Sequence, residues 1–135
     1  MKTIIATFIA LLVNFAIIAS LIIDQLLRQG FFIWIGAFFL LGLALVILTI
    51  KQKVKGKLKF FLILTGASAS GFVASVLLHN LIYGLFILWF GPDFWINTGL
   101  KDEPFFFFIA ILVCPIAFLI GIVGSVMMFI KGAKK

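Results

Sequence analysis

The sequence predicts an all-α polytopic membrane protein, an antiparallel bundle of four transmembrane helices forming one domain over residues 1–135. Three observations predict it. The chain is 65% hydrophobic and 11% charged, where an average soluble domain carries roughly 25% charged residues. Apolar runs near 20 residues recur, the length that crosses a ~30 Å hydrocarbon core as a helix. The runs also lack the apolar/polar alternation of a membrane β-barrel. The spans are placed at about 3–23, 31–50, 60–84 and 105–130.

The first span follows Lys2 and ends before Asp24-Gln25. Its apolar run is longer than the h-region of a secretory signal, and Ile17 and Ile18 precede Ala19 and Ser20 where a cleavage site wants small residues. An uncleaved span is the expectation. Asn14 sits mid-span, where its amide is costly facing lipid, so it should turn toward another helix. Leu26–Gly30, with Arg28, is a connector short enough to force an antiparallel hairpin into the second span.

Lysine then occupies every second position at Lys51, Lys53, Lys55, Lys57 and Lys59. The apolar run that follows reaches from Phe60 to Phe90, about 46 Å if wholly helical. It must tilt, or its last third must lie in the headgroup region. Residues 91–104 carry turn chemistry, Gly91-Pro92-Asp93 and Asn97-Thr98-Gly99. Phe94, Trp95 and Ile96 between these turns are candidates for an interfacial segment. Asp102-Glu103-Pro104 reads as the start of the fourth helix, with acids near its N-terminus and proline in the first turn. The same logic applies to Asp93 after Pro92.

Lysine also predicts orientation. The amino end, the 51–59 run and the carboxyl end hold Lys2, five lysines and Lys131, Lys134 and Lys135, with no acid. The other two connectors hold Arg28 and Lys101 against Asp24, Asp93, Asp102 and Glu103. The positive-inside rule therefore puts both termini and the lysine run in the cytoplasm, in a multi-pass plasma (cytoplasmic) membrane protein. The net charge of +7 is thereby assigned to topology and lipid headgroups, and nucleic acid is not an expected partner.

Function is less legible. On a helix, Thr65, Ser68, Gly71, Ser75, His79 and Tyr83 share a sector about 120° wide. His79 lies 20 residues beyond Lys59, about 30 Å up the helix and at the outer edge of the hydrocarbon. Two readings follow. Ser75, His79 and Tyr83 line a polar notch open to the outside, or His79 is hydrogen-bonded to backbone or a polar side chain with no opening. Glu103 lies about 42 Å above Lys131. A direct His79–Glu103 pair is not expected on that count unless the third helix tilts steeply or the fourth bends.

Small residues mark expected packing faces: Ala67, Gly71 and Ser75 on the third span, and Ala110, Cys114, Ala117, Gly121 and Ser125 on the fourth. Pro115 cannot donate to the carbonyl of Ile111 and should kink its helix. There is no P-loop, GxSxG, HExxH or CxxC motif, and no carboxylate within a span. The reading is non-enzymatic, with no cofactor implied. The lipid bilayer is the certain partner, and a homo-oligomer or another membrane protein the expected one. Oligomeric transport is the alternative; a haem or metal subunit using His79 is a second, which needs a dimer for a second histidine.

The segments LLHNLIYGLFILWFGPDFW, KDEPFFFF and ILVCPIAFLIGIVGS resemble a family of uncharacterised small four-span membrane proteins of bacteria and archaea. The resemblance runs from Ala67 to Ser125. It implies the fold and a prokaryotic membrane, and no activity.

Overall fold

The computed structural model describes residues 1–23 and 30–133. The expected first connector, with Asp24, Gln25 and Arg28, lies outside the described residues, as do Lys134 and Lys135. The elements are α1 (Lys2–Ile23), α2 (Phe31–Lys51), α3 (Gly56–Phe90), a short α4 (Phe94–Asn97), α5 (Pro104–Phe108), a π-helical turn (Ile109–Val113) and α6 (Cys114–Ala133). No strand occurs among the described residues. Four of these stretches are long and apolar enough to cross a membrane, the last being Pro104–Gly132 taken as one rod. The protein is a multi-pass α-helical membrane protein.

The helices run antiparallel. Phe15 stacks near Phe38 of α2 and Phe118 of α6, while Phe8 meets Phe129. The Met1 amine donates to Gln52 Oε1 at 2.7 Å. The amino end, the α2–α3 turn and the last turn of α6 thus share one end of the bundle, which gathers the described lysines except Lys101. The α2–α3 turn is tighter than the apolar runs suggest: α3 begins at Gly56, so Lys57 and Lys59 ride on its first turn. Lys53 takes a left-handed conformation (φ 52°), and Val54 N–H donates to Thr49 O.

α3 is the central rod, packed along α2 on one side and α6 on another. Its contact with α2 is made by glycine. A methyl group on Gly42 would fall 2.6 Å from Ser70 Oγ and 2.8 Å from Gly66 O; one on Gly66 would fall 2.6 Å from Gly42 O. The backbones touch because neither residue has a Cβ. Apolar side chains gain nothing by leaving lipid for a like surface, so helices in a membrane associate by this kind of close contact. Ser70 Oγ lies within hydrogen-bond reach of Phe39 O, 3.2 Å away, and of its own helix at Gly66 O.

The opposite seam joins α3 to α6. A methyl group on Gly121 would fall 2.5 Å from Thr65 Oγ1 and 2.7 Å from Thr65 N, and one on Gly71 would fall 3.4 Å from Cys114 Sγ. Gly124 abuts the Phe61 ring. The break at Pro115 takes the form of the π turn: Cys114 N–H donates five residues back, to Ile109 O. Pro115 has no N–H for the preceding turn, and the wider turn lets the chain pass it while staying helical.

One packing assignment is corrected. Ala67 is exposed. The small residues that touch α2 are offset by one position, at Gly66 and Ser70. Gly121 and Ser125 are buried and Ala117 is half-buried. Asn14 is buried at 3% exposure, turned inward from lipid.

Candidate functional site

The polar sector of α3 is a seam. Thr65 meets Gly121, Gly71 meets Cys114, His79 meets Glu103, and Tyr83 stacks on Trp95 with ring centroids 5.8 Å apart. Two of its four hydroxyls are spent locally. Thr65 Oγ donates to Phe61 O at 2.8 Å and Ser68 Oγ to Leu64 O at 2.6 Å. Donating a hydroxyl back to the preceding turn lets a polar residue sit inside a membrane bundle without an orphaned proton.

At the outer end of this seam His79, Asp102 and Glu103 form a cluster of titratable side chains. Glu103 N-caps α5: its carboxylate accepts from Phe105 N–H at 2.8 Å and Phe106 N–H at 3.0 Å, with Pro104 next in line. The first turn of a helix leaves N–H groups without partners, and a carboxylate there meets both those donors and the positive end of the dipole. The Glu103 side chain is 6% exposed. Asp102 Oδ1 accepts from Glu103 N–H at 2.8 Å, fixing the approach to the cap.

His79 closes the cluster. Its Nδ1 lies 3.1 Å from the Glu103 carbonyl oxygen and 3.3 Å from Glu103 Oε2. Both neighbours are acceptors, so the proton sits on Nδ1. Nε2 faces Asp102 Oδ2 at 3.6 Å. The ring also rests against Phe107, centroids 5.5 Å apart. A protonated imidazole can serve both carboxylates, and a neutral one serves Glu103 alone.

This geometry bears on two expectations. The His79–Glu103 contact, not expected on a straight-helix count unless the third helix tilts or the fourth bends, is made. That count set Lys59 level with Lys131. The Thr65–Gly121 and Phe61–Gly124 contacts put Lys131 roughly a turn lower, level with Lys55, which removes about 6 Å. The π turn and the non-helical cap residue take up chain length above Cys114 and bring Glu103 down to His79. The second concerns the notch of Ser75, His79 and Tyr83. Ser75 is buried, His79 packs against Asp102, Glu103 and Phe107 with its side chain 15% exposed, and half-buried Tyr83 stacks on Trp95.

Other expectations also shift. In the 94–96 segment Trp95 is 7% exposed and its Nε1–H donates to Tyr83 O at 3.2 Å, while Ile96 is 70% exposed. Asp93 precedes α4 without a side-chain capping bond. No group of three or more His, Cys, Asp or Glu side chains that could hold a metal ion occurs among the described residues. The Nδ1 commitment leaves only the Asp102-facing Nε2 as a prospective ligand atom. The Gly42–Gly66–Ser70 contact is not among the packing faces expected from the sequence, although Gly66-xxx-Ser70 repeats the small-residue spacing one position before Ala67-xxx-Gly71.

No family model, curated protein or solved structure matches the chain.

Proposed function

We propose that the protein is a non-enzymatic packing component of a prokaryotic cytoplasmic membrane, a subunit that joins copies of itself or a larger membrane protein, with its lysine-bearing end in the cytoplasm. The observation that carries this reading is the overhang of α3. In the antiparallel register, Phe31 at the start of α2 and Glu103 before α5 both lie level with about residue 79 of α3. α3 continues to Phe90, so Asn80–Phe90 rises about 16 Å beyond its neighbours.

The overhang is apolar. Phe86 packs on Phe94 and Trp95, so α4 covers one flank. The other flank is bare, with Leu88 78% and Trp89 65% exposed. The stretch from Lys59 to His79 already matches a ~30 Å core. The overhang therefore reaches the headgroup zone and past it, where bare apolar surface costs about 25 cal/mol per Å² and a covering partner removes that cost. The polar groups support the same reading. Glu103, Asp102 and His79 are engaged with one another and with the α5 cap, and Cys114 is buried in a helix seam.

Transport by an oligomer is the second reading. It is favoured by two buried oxygens without partners, Asn14 Oδ1 and Ser125 Oγ, since a spare polar atom in a membrane interior is costly. The deciding experiment extracts the protein from native membranes and measures the mass of the complex. The reading expects either several copies or a co-purifying membrane protein. A variant with Leu88 and Trp89 both changed to Ser should lose that association and keep its melting temperature. A single chain, extracted alone from native membranes, sinks the proposal.

A further inference from the structure

A cavity of about 140 Å³ lies between α1, α2, α3 and the start of α6. Phe15, Phe38, Phe72 and Phe118 form most of its wall, and Ala69 and Cys114 its floor. We propose that this cavity takes the end of a hydrocarbon chain from a bilayer lipid, as a built-in acyl-chain site.

Its depth is the first support. Ala69 is ten residues beyond Lys59, about 15 Å along α3 and so near the middle of a ~30 Å core. At that depth the surrounding medium is acyl chain. The wall on the lipid side is the second. α1 and α6 are bridged through rings, Phe8 to Phe129 and Phe15 to Phe118 with centroids 5.1 Å apart. Phe15, on the cavity wall, is itself 39% exposed, so the wall there is a single ring that faces the outside of the bundle.

The lining is the third. Among the described residues Ser68 supplies the only hydroxyl on the wall, and it already lies 2.6 Å from Leu64 O and 3.1 Å from Thr65 O. Water needs two to four polar partners to stay in a cavity, and this one does not supply them. An apolar cavity of roughly this size, 150 Å³ in an engineered soluble protein, stays dry and takes a benzene-sized guest. The π turn ends at the cavity wall, where Cys114 and Pro115 follow it. Such turns are frequent at functional sites because they displace side chains from the regular helical positions.

The test uses the full chain extracted in a mild detergent, with palmitoyl-oleoyl phospholipid as probe. The native mass spectrum of the wild type should retain one phospholipid per chain after washing. Removing it should lower the melting temperature, and adding it back should restore it, as binding to the folded state requires. Ala69→Phe fills the cavity from its floor. It should lose the retained lipid and make the melting temperature independent of added phospholipid. Ala69→Leu, a smaller plug, carries the same comparison if the phenylalanine variant does not fold. Wild type that retains no phospholipid overturns the proposal. So does a folded Ala69 variant that retains it undiminished, or retention of an isoprenoid lipid in place of an acyl chain.

Discussion

His79 Nδ1 lies 3.3 Å from Glu103 Oε2 and 3.1 Å from the Glu103 carbonyl oxygen, tying the outer part of α3 to the residue that caps α5. Glu103 thus serves two helices at once. Its carboxylate satisfies the first N–H groups of α5 and receives the imidazole of α3. Glu103→Ala should therefore cost more than a simple cap, about 2 kcal/mol, combining cap loss with the loss of a buried charge-assisted contact. His79→Ala should cost about 1 kcal/mol. The double variant should cost less than the sum of the two, because both remove one shared contact. Unfolding free energies in detergent, measured for the four members of the cycle, check this; strict additivity would mean the contact contributes nothing.

The glycine seams lead to a graded series. Gly42→Leu and Gly66→Leu force a side chain into the opposing backbone, which cannot yield as a flexible side chain can. Each should cost about 3 kcal/mol or abolish folding, the upper range for overpacking. Gly121→Leu should behave likewise against Thr65. Gly84, where nothing lies within 4 Å of an added Cβ, should accept leucine with little change. Melting temperatures of the four variants in one detergent give the order directly.

Asn14 and Ser125 should respond in the opposite direction. Asn14 Oδ1 and Ser125 Oγ are buried without partners. Replacing an unsatisfied polar group by an apolar one of similar shape removes a desolvation cost. Asn14→Leu and Ser125→Ala should leave the melting temperature unchanged or raise it. A drop of several degrees for Asn14→Leu would point to a bound water or ligand on the amide.

The orientation proposed from lysine is tested by labelling. With Cys114 replaced by Ala, a cysteine at Gln52 should be shielded from a membrane-impermeant reagent applied outside intact cells, and one at Thr98 should react. The opposite pattern would reverse the topology and place the α3 overhang in the cytoplasm.

The sequence by itself determined that four apolar runs form helices long enough to cross a membrane, and which of their ends lie together. The cause is general. A chain in lipid must satisfy its backbone internally, so every long apolar run becomes a helix. Lysines then concentrate at the segment ends that the structure brings together. Local chemistry was legible too: Glu103 and Pro104 open a helix because of the groups that any first turn leaves free. The tertiary structure alone decided which face of each helix looks inward. In a soluble helix the polar side marks the solvent, whereas here both sides are apolar and the contrast is lost, so Ala67 and Gly66 could not be told apart. It also decided the partner of His79. Distances between helices depend on their register, and the register is set where glycine lets backbones touch, at Gly121 against Thr65 and Gly42 against Gly66. Those contacts, with the π turn before Pro115, lower Glu103 to the level of His79, which no count of residues along either helix could supply.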